Sequence, residues 1–288
     1  DGDPAAGSNP AFDNLSGELF PTGNCEADTQ YWNFGQLGFA HTPPSGFEAL
    51  STANLDAPTI ADPTKYFETV LYAGDGSDGY EVTGVGFQPS MFWLKNRPDA
   101  EDHYVFDEVR GVGTGAGKNI SPNDNGAEVS DATVKAITSD GFTVEATGAA
   151  INTGNHVVWN WLGANGTATN ETGDITSTVS ANTTSGFSIL TYSGNGSDNQ
   201  TIGHGIGIAP KLIISKRRDS TGNWTTYHDD VGINKVFYLD LTNLPASNTE
   251  QYRATPTSSV YTVGIGGDIN NSRGTYVAYV FAEVEGFS

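Results

Sequence analysis

The chain has 288 residues, 36 of them glycine, and sets 34 acidic against 13 basic side chains for a formal net charge of −21. A surface this acidic repels nucleic-acid phosphates and anionic membranes, which are held through Lys and Arg, and excludes both as electrostatic partners. Cys25 is the only cysteine, so no intrachain disulfide or cysteine-based metal cluster can form, and no apolar run of about 18 residues is available for membrane insertion.

The opening residues, DGDPAAGSNP, lack the basic and apolar regions of a signal peptide. Met91 is the sole methionine, so Asp1 is expected to be a processed end or the start of a fragment of a longer protein. Residues 1 to about 62 have no counterpart later in the chain and form a first domain. Within it, LSGELFPTG is followed by YWNFGQLGFAHTPPSGFEALSTANL (Tyr31 to Leu55), which carries the pattern NFGQ-x-x-F-A from Asn33 to Ala40. This stretch resembles the C-terminal strands of SPRY (B30.2) domains, a concanavalin-like sandwich class, as they occur in bacteriophage structural proteins. Only the last third or so of such a domain is present, so the resemblance implies a fold class and a virion setting without an intact SPRY ligand site.

From Leu71 onward the sequence repeats at a spacing of about 120 residues. LYAGDGSDGYEVTGVGFQPSMFWLKNRPDAEDHYVFDEV lines up with TYSGNGSDNQTIGHGIGIAPKLIISKRRDSTGNWTTYHDDV from Thr191, pairing Tyr72 with Tyr192, Pro89 with Pro210, Lys95 with Lys216, Arg97 with Arg218 and Asp107 with Asp229. The match resumes at the end of each copy, where Gly154 and Trp161 pair with Gly274 and Phe281. The pattern Y-x-G-x-G-S, then G-F-x-P, then W-x-K-x-R resembles an uncharacterised domain that follows SPRY segments in tail-fibre and other virion proteins of phages. That resemblance brings no catalytic residues with it.

Within the copies, strands are predicted over Met91 to Lys95, His103 to Asp107 and Val157 to Trp161, then over KLIIS, KVFYLD and TYVAYVFAEV, where β-branched and aromatic residues are punctuated by Gly, Asn, Asp and Pro. Alternation puts Val157, Trp159 and Trp161 on one face and Val158 and Asn160 on the other, as in an antiparallel strand. The expected fold is all-β, with tandem antiparallel β-sandwich modules of jelly-roll or lectin-like type. A first sandwich over 66–165 and a second over 186–288 are joined by a linker at 164–185 that is poor in large apolar residues and contributes an edge strand at most.

Candidate sites are sparse. GDGSDG (Gly74 to Gly79) and GNGSDN (Gly194 to Asn199) read as hairpin turns needing positive φ; the alternative is calcium held by Asp75, Asp78 and backbone oxygens. No other cofactor is implied, and SPNDNGAEVSDA fails as an EF-hand loop because its first position is Ser121 and its twelfth is Ala132. Lys95 and Arg97, echoed by Lys216 and Arg218, are expected to pair across neighbouring strands with Asp107 and Asp229. The adjacent acids Asp107–Glu108 and Asp229–Asp230 point to opposite strand faces and cannot act as a glycosidase pair. His41, His103, His156, His204 and His228 share no metal-ligand spacing. Trp32, Trp93, Trp159, Trp161 and Trp224 are either core residues or a stacking platform for sugar rings, with Trp224 and Tyr227 in GNWTTY the best candidates for an exposed ligand site.

These features describe a non-enzymatic protein of a virion surface or extracellular setting, tail-fibre-like, that associates with itself, as a trimer by analogy with fibres, and with other virion proteins. Its expected role is adhesion to a host-surface glycan. The alternatives are a purely architectural virion part and a polysaccharide-degrading enzyme.

Overall fold

A computed structural model of the chain divides into two compact units, Asp1–Pro58 and Thr59–Ser288. It describes Thr42 and residues 57–112, 117–131, 133–146 and 149–288, so the architecture is that of the second unit. The SPRY-like motif, Cys25, Trp32 and His41 lie outside the described residues.

The first repeat opens with β1 (Phe67–Asp75), β2 (Tyr80–Val82), β3 (Met91–Asn96) and β4 (His103–Asp107). It continues with β5 (Gly117–Asn119), β6 (Val129–Asp131), β7 (Val134–Thr138) and β8 (Gly141–Val144), and closes with the one-turn helix α1 (Ala149–Asn152) and β9 (Thr153–Trp161). Its main sheet has the order β1-β9-β3-β4, wholly antiparallel, and faces a three-stranded sheet β2-β8-β7. Val158, Phe92 and Leu94 point from the first sheet onto Phe142 and Val144 of the second, and the Phe92 and Phe142 rings stack at 4.3 Å. This is an all-β sandwich built on period-two alternation.

The second repeat uses the same plan. It comprises β10 (Ala168–Asn170), β11 (Ser177–Asn182), β12 (Phe187–Ser193), β13 (Gln200–Gly203), β14 (Leu212–Arg217) and β15 (Thr225–His228). These are followed by β16 (Lys235–Tyr238), β17 (Ala246–Ser247), β18 (Tyr252–Ala254), β19 (Val260–Val263), the short helix α2 (Gly267–Asn270) and β20 (Thr275–Phe281). The order β12-β20-β14-β15 repeats that of β1-β9-β3-β4, and β13-β19-β18 repeats β2-β8-β7. Here the large sheet is widened to eight strands, with β10 and β11 on one side and β16 and β17 on the other.

The segment 164–185, expected as a linker, therefore supplies two strands of the second repeat. Ile175 and Val179, its few apolar residues, both enter the second repeat's core. A sheet edge needs few large side chains because its ladder bonds come from the backbone, which is why this stretch reads as a linker in sequence.

The register also corrects one pairing of the repeats. Met91 lies opposite both Trp161 and Asp107, whereas Leu212 lies opposite Phe281 and His228. Asp107 thus shares its place with His228 rather than with Asp229, because the matching DEV and DDV strings are one residue out of phase with the strands.

Candidate functional site

The two sandwiches are not separate beads. The outer face of β3, β4 and β9 packs against the outer face of β12, β14 and β20, and a third core forms between them from Met91, Val105, Phe187, Ile189, Trp224 and Tyr279, among others. Four of the unit's five sheets are thus stacked with three apolar layers between them, the fifth being the two-stranded pair β5-β6. The tryptophan side of β9, the face not used within its own sandwich, is the one that enters this seam. Trp161 meets Phe281, its equivalent in the other repeat, edge to face at 6.3 Å. Contact between equivalent residues is the hallmark of an interface with two-fold character. The opposed faces leave an apolar cleft of about 350 Å³ lined by Trp93, Trp161, Ile214, Trp224, Tyr279 and Phe281, together with Met91, Val105 and Leu212.

Beside the apolar seam runs a buried polar one. Arg110 Nε donates to Asp107 Oδ2 at 2.5 Å, and its Nη2 donates to the Val105 carbonyl at 2.8 Å. Tyr279, from the second repeat, donates its hydroxyl to the same Asp107 oxygen at 2.8 Å. Glu128 lies 3.4 Å from Arg110 and receives the fork of Arg218 at 2.8 and 3.0 Å, so the chain of charges crosses from one repeat to the other. Burial opposes the charge on Arg110, but Asp107, Tyr279 and Glu128 outweigh it and raise the guanidinium's affinity for its proton. Alongside, Trp224 Nε1 donates to the carbonyls of Ser121 and Asp124 at 2.9 and 3.0 Å, and Gly222 N donates to the Asn125 carbonyl at 2.9 Å. Lys216, fully buried, reaches the same Asn125 carbonyl at 3.3 Å. Burial pushes its ammonium down to about 8.

The expected exposure of Trp224 and Tyr227 is overturned, since each is 1% exposed. GNWTTY runs from a loop into β15, which begins at Thr225, and Trp224 enters the seam while Tyr227, on the opposite face, enters the second repeat's inner core. Asp75 and Asp78 are occupied within the turn. Asp75 Oδ1 accepts from Ser77 N and Oγ at 2.8 and 2.6 Å, which holds its carboxyl below the usual range. Asp78 is held low by Lys135, 2.6 Å away. Gly76 and Gly79 take φ near +77° and +76°, and Gly196 and Asn199 +73° and +58°, as the turn reading requires. Among the described residues, no three His, Cys, Asp or Glu gather as metal ligands.

The expected cross-strand ion pairs do not form. Lys95 lies opposite His103, with Asp107 at the far end of the same ladder, and its ammonium turns instead to the carbonyls of Asn96 and Asp99 at 2.7 and 3.0 Å. Asp229 binds Lys211 at 2.5 Å and accepts from Tyr227 at 3.0 Å, and both lower its carboxyl. The histidines stay apart: His103 accepts from Trp93 Nε1 at 2.9 Å, His156 stacks on Tyr72 at 4.8 Å, and His204 lies against the Thr257 carbonyl.

The repeated motif itself works inward. Tyr72 and Tyr192 donate to the carbonyls of Ile151 and Ile269 at 2.6 and 2.8 Å, pinning α1 and α2. Asn152 donates to the carbonyls of Ser77 and Glu145, and Asn270 to those of Ser197 and Gly264, all between 2.8 and 3.0 Å. Sequence reasoning missed these asparagines, although the Ile-Asn pair recurs at the matching place in AAIN and GDIN.

Residues 62–288 match the family described as a domain of unknown function, DUF7483. The chain belongs to that family. The match runs through both repeats and the seam, so a DUF7483 domain is the doubled sandwich rather than one copy of it. No curated protein and no solved structure matches the chain.

Proposed function

We propose that the chain is a non-catalytic, architectural component of a virion surface or other extracellular assembly, with its DUF7483 domain as a rigid block. The reading rests on where the residues common to both repeats go. Tyr72 and Tyr192, Asn152 and Asn270, and the turn glycines all hold the fold together rather than opening onto a shared pocket. The acids that a hydrolase would need are engaged as well: Asp107 with Arg110, Glu108 with the Ser180 hydroxyl, and Asp229 with Lys211. The SPRY-like motif ahead of the domain agrees with a virion setting.

A second reading, adhesion to a host-surface glycan, is favoured by one observation. Trp93 and Trp159 meet at 6.4 Å on the outer face of the first sheet and remain partly exposed beside Leu71, which is 62% exposed. Aromatic faces of this kind stack on the apolar faces of pyranose rings. Incubating the purified chain with intact bacterial cells and a polysaccharide panel, with and without calcium, separates these roles. Architecture predicts neither retention nor new reducing ends. Retention that disappears in Trp159→Ala replaces it with adhesion, and sugar release rejects the non-catalytic assignment.

A further inference from the structure

We infer that the outer edge of β1 is a self-association surface, which pairs antiparallel with β1 of a second copy of this chain about a two-fold axis at Leu71. Among the described residues β1 is hydrogen-bonded only to β9, along an unbroken nine-residue register, which leaves its other side as a sheet edge. The remaining ends of the large sheets are blunted: β10 has three residues, β17 has two, and β4 is bridged to Ile120. Native edges avoid pairing by shortness, bulges, Pro or charged side chains, Lys above all; β1 is long, unbulged and without Pro or Lys, and its two charges, Glu68 and Asp75, lie toward its ends.

Alternation decides which groups face outward. Tyr66 and Gly76, at the two ends of β1, bond toward the β9 side, through Leu162 N and the Asn152 carbonyl. The odd-numbered residues between them therefore aim their backbone groups at the edge. Thr69 N is consistent with this, taking the carboxylate of Glu68 at 2.9 Å in place of a ladder partner. Leu71 stands midway, 62% exposed.

The second repeat shows what this edge accepts. Its equivalent of β1 is β12, and there the same side is covered by an antiparallel strand, β11, with Thr178 opposite Thr191 at the place that Leu71 holds in the first repeat. A second copy supplies such a strand without a clash of charge. Pairing centred on Leu71 sets Glu68 opposite Gly74 and Asp75 opposite Phe67, so no carboxylate faces another. The two exposed leucines then cover each other, and their face continues through Val157 and Trp159 toward the seam already buried between the repeats. With a net charge of −21 on each chain, association should tighten as salt is added.

The test is sedimentation velocity of the full chain at low and high salt, combined with disulfide trapping in a Cys25→Ser background. Residues that exchange both hydrogen bonds across an antiparallel pair have Cα atoms roughly 5.5 Å apart, inside the span of about 4.4–6.8 Å that a disulfide bridges. Leu71→Cys should therefore give a covalent dimer on oxidation, whereas Ala73→Cys, which would face Thr69 of the other copy, should not. Leu71→Lys should sediment as a monomer and melt, independently of concentration, at the temperature its parent approaches on dilution to monomer. A parent chain that stays monomeric in both salts, one that forms a trimer, or equal trapping at positions 71 and 73 would overturn the inference.

Discussion

At the scale of single residues, Lys216 carries the largest consequence. Lys216 is fully buried and its ammonium donates to two carbonyls, those of Asn125 at 3.3 Å and Arg217 at 2.8 Å, with no carboxylate among the described residues in hydrogen-bond contact. Burial lowers its pKa to about 8 in the folded chain, while an unfolded lysine titrates near about 10.4. Between these values the unfolded chain binds a proton that the folded one lacks, so this residue's contribution to stability rises with pH, by up to about 3 kcal/mol. Below pH 8 both states are charged and the full cost of the buried cation is present. Thermal melts of the parent and of Lys216→Met at pH 7.5 and 10 isolate the effect, because other titrations are common to both chains. The parent should gain on the variant as pH rises, and a constant gap would assign the lysine an ordinary pKa.

At the scale of elements, each repeat is fastened by a strand, a turn and a short helix acting together. Gly74 passes so close to α1 that a Cβ there would lie 2.4 Å from the carbonyl carbon and oxygen of Asn152, and Gly194 approaches the Asn271 oxygen equally closely. Gly74→Ala must push backbone against backbone and should cost about 1–3 kcal/mol in urea unfolding, with the repeat's turn displaced. A variant as stable as its parent would mean that the helix yields freely. This fastening was half legible in the sequence. The Gly, Asn and Asp of the turns announced positive φ, and the strands announced themselves by alternation and composition. The partners of the turn did not, because Asn152 and Asn270 act across about 75 residues of chain. Alternation also separates two faces without saying what covers either. That is why Trp224 read as exposed although it directly precedes a strand buried on both sides, and why the Lys95–Asp107 pair looked reasonable until the register put the two at opposite ends of a ladder.

At the scale of the whole molecule, the third core and the charges from Asp107 to Arg218 make one body of what the sequence presents as two modules and a linker. The two ends of this unit also meet: Ile60 N donates to the Glu285 carbonyl at 3.1 Å, and Tyr66 meets Phe287 edge to face. Residues 59–288 should therefore unfold in a single calorimetric transition. Trp224→Ala, which opens a cavity in the seam and takes the indole donor from the Ser121 and Asp124 carbonyls of the first repeat, should cost about 3–5 kcal/mol and split the melt in two. Two transitions within residues 59–288 would show that the repeats are energetically independent. The contact between Trp161 and Phe281 bears on more than stability. In an assembly of identical subunits every substitution at such a contact appears on both sides at once. Here the two sides are written separately in one chain, so a change at either can be answered by a compensating change at the other. Arg110, whose counterpart in the second repeat is the uncharged Val231, and Glu128 show how far one half has already become specialised to hold its twin.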